Sequence, residues 1–322
     1  MQPTKSITNK TFAEDVLDGL SDEPKHLSSK YFYDDEGSRL FQEIMKLPEY
    51  YLTRSEYEIF RKQTEEIYQA FDANKGEFDL IELGAGDGIK TSLLVDYFLK
   101  MDSRFSYVPI DISSEALNFL TDKFHREFPN LDIQTERGDY FKTLETFKER
   151  SDKRKVILFL GSNIGNFSAP QALEFFRHLH EVMNKNDSIF IGFDLHKNPK
   201  TILNAYDDSL NVTARFNLNL LKRMNRELGA NFETDNFLHY ASYHPTECAA
   251  RSYLISQKDH DVFIEELGRE FHFKKWEPIY MEVSQKYNLE MIEELASNSG
   301  FEIVQNFYDE NRFYSNSLWK PA

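Results

Sequence analysis

The chain has 322 residues, of which 40% are hydrophobic, and a formal net charge of −16. This length is enough for one large domain or two ordinary ones with a sizeable core. Affinity for nucleic acid comes largely from Lys and Arg, so an acidic chain without a long basic segment favours a small-molecule ligand.

The sequence also argues against a membrane span and a disulfide. The longest apolar run, residues 156–161, is too short to cross a bilayer, and the first residues contain no apolar segment typical of a secretory signal. The only cysteine is Cys248, which excludes an internal disulfide and a thiolate metal cluster. We expect a cytoplasmic monomer.

Residues 1–75 are predicted to be mostly helical. Apolar residues between 41 and 47 recur at helical spacing before Pro48 ends the run. Ser55 is expected to cap a helix over residues 56–68.

From residue 78 onward, short apolar runs alternate with amphipathic helices. This alternation predicts a parallel, doubly wound sheet. The predicted strands are residues 79–83, 106–110, 131–136, 155–160 and 187–195, and the predicted helices begin near residues 89, 113 and 170.

The alternation lapses after Leu195 and returns near the C-terminus. Two helices are predicted within 199–229, followed by mixed strand-like and helical pieces. A helix near 287–298 then precedes two strand-like runs, 301–308 and 312–319, which are close enough in sequence to pair antiparallel.

A doubly wound sheet that ends in an antiparallel hairpin is typical of methyltransferases. The predicted fold class is therefore α/β: a Rossmann-like class I methyltransferase sheet with an antiparallel terminal hairpin, plus a second α+β domain that binds substrate. We assign residues 57–196 and 287–322 to the cofactor-binding domain. Residues 1–56 and 197–286 form the predicted substrate-binding domain.

A glycine-rich loop follows the first predicted strand, within Leu80-Ile-Glu-Leu-Gly-Ala-Gly-Asp-Gly88. Gly84 permits a tight turn, while Gly86 and Gly88 let a cofactor lie against the backbone. A dinucleotide motif would need a third glycine at Ile89. The spacing E-x-G-x-G-x-G is instead typical of methyltransferases and predicts S-adenosylmethionine as cofactor.

Three polar residues near this loop are candidate cofactor ligands. Asp111 ends the second strand, where a carboxylate can accept hydrogen bonds from ribose hydroxyls. Asp139 follows the third strand, where this fold usually contacts the adenine amino group, and Lys90 can reach the cofactor carboxylate. The alternative is that the aspartates are capping or turn residues and Lys90 is a surface lysine.

The fourth strand leads into Gly161-Ser-Asn-Ile-Gly-Asn166. Ligands of open α/β sheets bind at the carboxyl ends of strands, so this stretch predicts contacts to a polar substrate. A plain turn would explain Gly165 and Asn166 equally well. The sequence contains no H-E-x-x-H or G-x-S-x-G motif, and we predict neither a metal site nor a serine hydrolase.

Several further motifs lie outside the general methyltransferase pattern. They are KYFYDDEGS at 30–38, LPEYYLTR at 47–54, FLGSNIGNF at 159–167, several pieces between 205 and 228, and EVS at 282–284. With these motifs the chain resembles, over nearly its whole length, the histidine-specific Nα-methyltransferases of the ergothioneine pathway.

The resemblance implies methylation of the α-amine of L-histidine to the trimethyl betaine, hercynine. It also implies roles for Tyr33, Gly84, Lys90, Asp111, Asp139 and Tyr140 in holding S-adenosylmethionine, for Asn166 and Tyr206 in binding the substrate carboxylate, and for Tyr50, Glu282 and Ser284 around the imidazole. The Gly161 carbonyl would face the substrate amine, and Tyr33 would help remove its proton. Two alternatives stay open: an N-methyltransferase for another amino acid or amine, and a non-catalytic S-adenosylmethionine-binding regulatory protein.

Two positions depart from the family pattern. Asn163 stands where threonine is common, and Ser252 stands where a methionine usually helps to wall the side-chain pocket. We expect the change at Ser252 to alter pocket volume and polarity near the imidazole.

Overall fold

The computed structural model describes residues 11–111, 114–138, 140, 143–146 and 151–322. The chain forms two compact units. The large-sheet unit comprises Leu52–Lys197 and Gln285–Ala322, and the small-sheet unit comprises Met1–Tyr51 and Asn198–Ser284. The unit boundaries follow Tyr51, Lys197 and Ser284, whereas the sequence placed them after residues 56, 196 and 286.

The secondary structure is as follows. The helices are α1 Phe12–Ser21, α2 Asp35–Ile44, α3 Tyr51–Lys62, α4 Thr64–Ala70, α5 Ile89–Lys100, α6 Ser114–Glu127, α7 Ala169–Val182, α8 Pro199–Asn204, α9 Val212–Leu228 and α10 Leu289–Asn298. The strands are β1 Phe78–Leu83, β2 Phe105–Asp111, β3 Asp132–Ile133, β4 Glu136–Arg137, β5 Arg154–Phe159, β6 Ser188–Asp194, β7 Phe237–His244, β8 Ala249–Ser256, β9 His260–Ile264, β10 Arg269–Phe273, β11 Pro278–Gln285, β12 Phe301–Tyr308 and β13 Tyr314–Pro321.

The large sheet has the strand order β12-β13-β6-β5-β1-β2-β3, and β4 also pairs with β2. Strands β6, β5, β1 and β2 run parallel, whereas β13 is antiparallel to both β6 and β12. The predicted doubly wound sheet with a terminal antiparallel hairpin is therefore confirmed. In this order the carboxyl ends of β1, β2, β5 and β6 lie along one edge of the sheet.

The core of this unit is apolar and rich in aromatic rings. Every residue of β1 is buried, as expected of a central parallel strand. Trp319 of β13 packs against Phe176 of α7 and Phe193 of β6, with ring centroids 4.9 and 5.7 Å apart. This packing joins the terminal hairpin to the parallel part of the sheet.

Two local predictions were wrong. The predicted helix over 56–68 begins earlier, at Tyr51, and ends at Lys62, so Ser55 is a buried residue inside α3 rather than its cap. Buried positions at Leu52, Ser55 and Ile59 show that the helical period starts before Ser55. The predicted strand over 131–136 is divided into β3 and β4, each of two residues.

The small-sheet unit contains a three-stranded sheet in the order β11-β8-β7 and a two-stranded ribbon of β9 and β10. Its longest helix, α9, packs against α2, β7 and β8. The Asp208 carboxylate accepts hydrogen bonds from the backbone N–H groups of Leu210, Val212 and Thr213, which satisfies donors at the start of α9. No helix among the residues described here has the length and apolar character needed to cross a lipid bilayer.

Candidate functional site

The glycine loop between β1 and α5 adopts a conformation that favours glycine. Gly84, Gly86 and Gly88 have φ values of +71°, +54° and +62°. At Gly88 a Cβ atom would lie 2.4 Å from Leu120, so the absence of a side chain lets α5 approach α6. At Gly86 a Cβ would meet no atom within 4 Å, which leaves open space along the backbone.

Four predicted site residues lie close together around this loop. A Cβ at Gly84 would be 2.7 Å from the Tyr140 hydroxyl and 3.3 Å from Asn163 Nδ2. A Cβ at Gly161 would be 3.7 Å from Lys90 Nζ and 3.8 Å from Asn163 Oδ1. The structure therefore brings Gly84, Lys90, Tyr140 and Gly161 together at the carboxyl edge of the large sheet, with Asn163 among them.

Asp111 lies at the same edge. It is the last residue of β2 and is partly exposed, and its backbone carbonyl accepts a hydrogen bond from the N–H of Gly138. The preceding residue, Ile110, accepts the N–H of Gly84 through its carbonyl oxygen at 2.9 Å, which fixes the glycine loop beside Asp111. Asp139 lies outside the described residues.

These groups fit the adenosyl and amino-acid parts of S-adenosylmethionine. The Asp111 carboxylate can accept from a ribose diol, the Lys90 ammonium can donate to a carboxylate, and Gly86 leaves room for the ligand. The first turn of α5 is poorly suited to phosphate, because the Ile89 N–H donates to the Asp87 carboxylate at 3.1 Å. The loop therefore favours a ligand without phosphate.

Beneath the loop, Glu82 of β1 is a buried carboxyl group. The hydroxyl of Tyr107 donates a hydrogen bond to it at 2.5 Å. Burial raises the pKa of Glu82 to about 7, and the Tyr107 hydrogen bond limits that rise. The sequence motif included Glu82, but the sequence analysis gave it no role.

The sequence analysis also missed Glu56 as a site residue. Its carboxylate, on α3, is 1% exposed and accepts hydrogen bonds from the Lys90 ammonium and the Gly161 N–H. The helical spacing of the buried residues around Glu56 was the available signal, because it places this glutamate on the buried side of the helix. A glutamate is rarely fully buried without a partner.

The segment after β5 contains a 3₁₀ helix, Asn163–Asn166. Gly161 and Ser162 precede it with positive φ values, and the Ser162 hydroxyl oxygen accepts the N–H of Asp194 at 3.2 Å. A Cβ at Gly165 would lie 3.0 Å from the carbonyl oxygen of Gln285, so glycine allows close backbone contact. Asn166 is exposed. The segment is thus anchored at Ser162 and Gly165 and leaves the Asn166 amide accessible.

A second buried ionic cluster lies at the end of β6. Asp194 contacts the ammonium groups of Lys286, at 2.7 Å, and Lys197. Burial acts to raise the pKa of Asp194, but the two lysines hold it below its ordinary value. Burial also lowers the pKa of Lys197 to about 8. The sequence analysis did not identify this cluster.

In the small-sheet unit, two predicted substrate residues, Glu282 and Ser284, lie on β11, and a third, Tyr206, is hydrogen-bonded to Ser284. The hydroxyl of Tyr206 donates to Ser284 Oγ at 2.7 Å, and both residues are buried. Glu282 and Ser284 are two residues apart on β11, which places their side chains on one face. The carbonyl of Tyr206 is also hydrogen-bonded to His239 Nε2 at 3.0 Å, which fixes the backbone at that position.

The other two predicted residues of this unit belong to an aromatic cluster. The ring of Tyr33 lies 5.5 Å from that of Phe41 and 5.6 Å from that of Phe216. The ring of Tyr50 lies 6.1 Å from Phe41 on the other side. Tyr33 is 39% exposed, whereas Tyr50 is buried, so the hydroxyl-bearing ring of Tyr33 remains accessible.

Ser252 is a buried residue of β8, where it pairs with Ala241 of β7. The neighbouring Tyr253 contacts Tyr280 of β11, with ring centroids 5.7 Å apart. The effect of Ser252 on the volume and polarity of the pocket near the imidazole stays a prediction.

No group of three His, Cys, Asp or Glu side chains within the described ranges is placed to hold a metal ion. The predicted site residues in these ranges form two sets: groups that fit an adenosyl ligand in the large-sheet unit, and a neutral hydroxyl pair with a carboxylate in the small-sheet unit.

Comparison with known proteins gives a family for this arrangement. A family model described as "Histidine-specific methyltransferase, SAM-dependent" matches residues 12–321. The histidine N-alpha-methyltransferase of Mycobacterium tuberculosis is 34% identical over 304 residues, covering 94% of this chain and 93% of that protein.

Two further relatives extend the comparison. The protein of the same name from Mycolicibacterium smegmatis is 36% identical over 283 residues, covering 88% of this chain and 86% of the relative. Ergothioneine biosynthesis protein 1 of Schizosaccharomyces pombe is 29% identical over 295 residues, covering 90% of this chain and 38% of the relative. The chain belongs to the family of S-adenosylmethionine-dependent, histidine-specific methyltransferases.

Proposed function

We propose that this enzyme methylates the α-amino group of L-histidine, forming the trimethyl betaine hercynine as a step of ergothioneine biosynthesis. The observation that carries the proposal is the buried Tyr206–Ser284 hydrogen bond, with Glu282 on the same face of β11. A hydroxyl and a carboxylate can satisfy the two different nitrogens of an imidazole, one as donor and one as acceptor. An apolar side chain could make neither of these two contacts.

The cofactor side of the proposal uses the large-sheet unit. Asp111 would bind the ribose hydroxyls, Lys90 the carboxylate, and Gly84 and Tyr140 would border the ligand. Asp139, outside the described residues, would contact the adenine. When bound, S-adenosylmethionine supplies a sulfonium methyl group, to which the amine lone pair bonds as the carbon–sulfur bond breaks.

The chain's own contribution to the reaction is mainly orientation. Holding two reactants in attack geometry can supply about 7–11 kcal/mol of the barrier. We assign the Asn166 amide to the substrate carboxylate and the Gly161 carbonyl to the amine. The Tyr206 hydroxyl would join Asn166 on that carboxylate by turning from Ser284 when the substrate binds, because a phenol has one proton to donate. Tyr50, Glu282 and Ser284 would surround the imidazole.

The substrate amine must lose its proton before each transfer. The exposed Tyr33 hydroxyl is assigned to this step, in which it would relay the proton toward solvent. The rings of Tyr33 and Tyr50 can also tolerate the cationic product, because the face of an aromatic ring attracts a quaternary ammonium.

We further propose that the large-sheet unit is the cofactor-binding domain and the small-sheet unit the substrate-binding domain. The proposal extends to a cytoplasmic location, and to a monomer with no nucleic-acid or membrane partner. Light scattering after gel filtration should give the mass of one chain, and a stable dimer would contradict the monomer.

The experiment that tests the substrate is an incubation with methyl-labelled S-adenosylmethionine and a panel of amino acids, read by mass spectrometry. Histidine should gain three methyl groups on its α-nitrogen. Histidines already methylated on either ring nitrogen should react poorly, because one imidazole contact is lost. If histidine stays unchanged while another amino acid is methylated, the proposed substrate is wrong.

Glu282→Ala tests the side-chain pocket. The change removes the carboxylate that is proposed to accept a hydrogen bond from the imidazole, so kcat/KM for histidine should fall about 100-fold. The dissociation constant for S-adenosylhomocysteine should change less than about twofold, since Glu282 has no proposed contact with the cofactor. Glu270→Ala, an exposed glutamate of the same unit, is the matched control. Equal losses in both variants would refute the role of Glu282.

A further inference from the structure

Glu56 is the centre of a buried polar cluster in the large-sheet unit. Its Oε2 accepts the Gly161 N–H at 2.9 Å and contacts the Lys90 ammonium. Its Oε1 accepts a hydrogen bond from Asn316 Nδ2, also at 2.9 Å. One side chain of α3 is therefore bonded to the first turn of α5, to the segment after β5 and to β13.

The surrounding chain leaves space for this carboxylate. A Cβ at Gly192 of β6 would lie 2.4 Å from Glu56 Oε1, so any other residue there would displace the glutamate. The φ of Gly192 is not positive, and the glycine is needed for room rather than for backbone conformation. Both oxygens of Glu56 accept hydrogen bonds within the fold, and the residue is 1% exposed, so the carboxylate is shielded from a ligand.

Lys90 is more exposed than Glu56. Its ammonium is carried on a flexible four-carbon chain and is 20% exposed, whereas Glu56 is 1% exposed. A lysine without such a partner would lose side-chain entropy each time it fixed a ligand carboxylate. The buried glutamate removes most of this cost before the ligand arrives.

We propose that Glu56 is a positioning residue for cofactor binding: it holds the Lys90 ammonium where it meets the carboxylate tail of S-adenosylmethionine, and it anchors the backbone at Gly161 beside that ammonium. This inference rests on the role that the proposed function gives to Lys90. Glu56 itself touches neither the cofactor nor the substrate.

The test measures the binding of two ligands by calorimetry, without turnover. S-adenosylhomocysteine carries the amino-acid tail, whereas methylthioadenosine lacks it. Glu56→Gln should weaken S-adenosylhomocysteine about tenfold and methylthioadenosine less than about twofold, since only the first ligand needs an oriented Lys90. Glu58→Gln, on the same helix with its own lysine partner, Lys62, should change neither.

The second arm of the test places Glu56→Gln in a Lys90→Met background. If Glu56 acts through Lys90, its replacement should cost little further affinity once the ammonium is gone. An undiminished tenfold loss in that background would overturn the inference. So would an equal loss for both ligands, which indicates a general distortion of the site.

The single variant Lys90→Met distinguishes the proposed role of Lys90 in cofactor binding from the inferred positioning role of Glu56. If it leaves S-adenosylhomocysteine binding unchanged, the role of Lys90 is wrong and the inference falls with it. If it weakens binding while Glu56→Gln does not, only the inference is wrong.

Glutamine should be tolerated at position 56. Asn316 Oδ1 has no hydrogen-bond partner among the described residues, and a flipped Asn316 amide can accept from the glutamine nitrogen. Glu56→Asp provides a second variant that keeps the charge and shortens the side chain. It should also weaken S-adenosylhomocysteine selectively, and an unchanged affinity would overturn the positioning role.

Discussion

The two units differ in how they bury polar groups. The large-sheet unit buries the carboxylates of Glu56, Asp79, Glu82, Asp187, Asp194 and Asp309, whereas the described part of the small-sheet unit buries that of Asp208. Asp208 caps a helix through three backbone N–H groups. The buried side chains at its proposed substrate site, those of Tyr206 and Ser284, are neutral.

This difference follows from the elements that carry each site. A parallel sheet brings strand ends and loops together at both of its edges, so charges buried there must be paired within the unit. A neutral hydroxyl pair carries a smaller desolvation cost. Substitutions in the large-sheet unit should therefore have larger effects than those at the neutral pair.

The largest effect is expected for Asp194→Asn. The change leaves Lys286 and Lys197 buried without their counter-ion, and the loss of one partner of a buried ion pair typically costs about 3–5 kcal/mol. The free energy of unfolding, measured in urea at pH 7, should fall by about 4 kcal/mol. Asp96→Asn removes an exposed partner of Lys100 and should cost less than about 1 kcal/mol. If both variants lost less than about 1 kcal/mol of unfolding free energy, the contrast between buried charged groups and exposed ones would be contradicted.

Glu82 predicts a pH dependence of stability. The pKa of Glu82 is raised to about 7 in the folded protein. Between the ordinary pKa of a glutamate and pH 7, the folded protein therefore keeps a proton that the unfolded chain has lost. This contribution to stability is complete below the unfolded pKa and is lost as the pH rises through about 7. The stability of Glu82→Gln relative to the parent should therefore increase by about 3 kcal/mol between pH 4 and pH 8. Urea unfolding across this range measures it, and a pH-independent difference would contradict the raised pKa.

The third prediction concerns the cofactor itself. Asp111→Ala removes a carboxylate that can accept from ribose hydroxyls, and hydrogen bonds to charged groups are worth about 1.5–3 kcal/mol. The affinity for S-adenosylhomocysteine should fall about 100-fold by calorimetry. Asp122→Ala, an exposed carboxylate of α6, should leave it unchanged. Binding of a nicotinamide dinucleotide in place of the sulfur ligand would contradict the assignment of the loop.

Much of the large sheet could be predicted from the sequence. The alternation of short apolar runs and helices marked β1, β2, β5 and β6, and 301–308 coincides with β12. The glycine loop could be found because its function depends on backbone conformation, which only glycine adopts easily.

The sequence could not predict partners that are distant in the chain. Glu56 and Asn316 are brought together only by the fold, and so are Asp194 and Lys286. A helical period can mark such a glutamate as buried, but it does not identify the partner.

The smallest effect is expected at the neutral pair of the small-sheet unit. Tyr206→Phe removes the hydroxyl that donates to Ser284 but keeps the ring, and a neutral hydrogen bond contributes about 1 kcal/mol. The free energy of unfolding should therefore fall by about 1 kcal/mol and the KM for histidine should rise about fivefold, while affinity for S-adenosylhomocysteine stays nearly unchanged. Tyr240→Phe, on the exposed part of β7, is the matched control and should behave as the parent. A loss above about 100-fold would mean that Tyr206 acts on the reacting atoms, and the contrast between the charged and neutral sites would then fail.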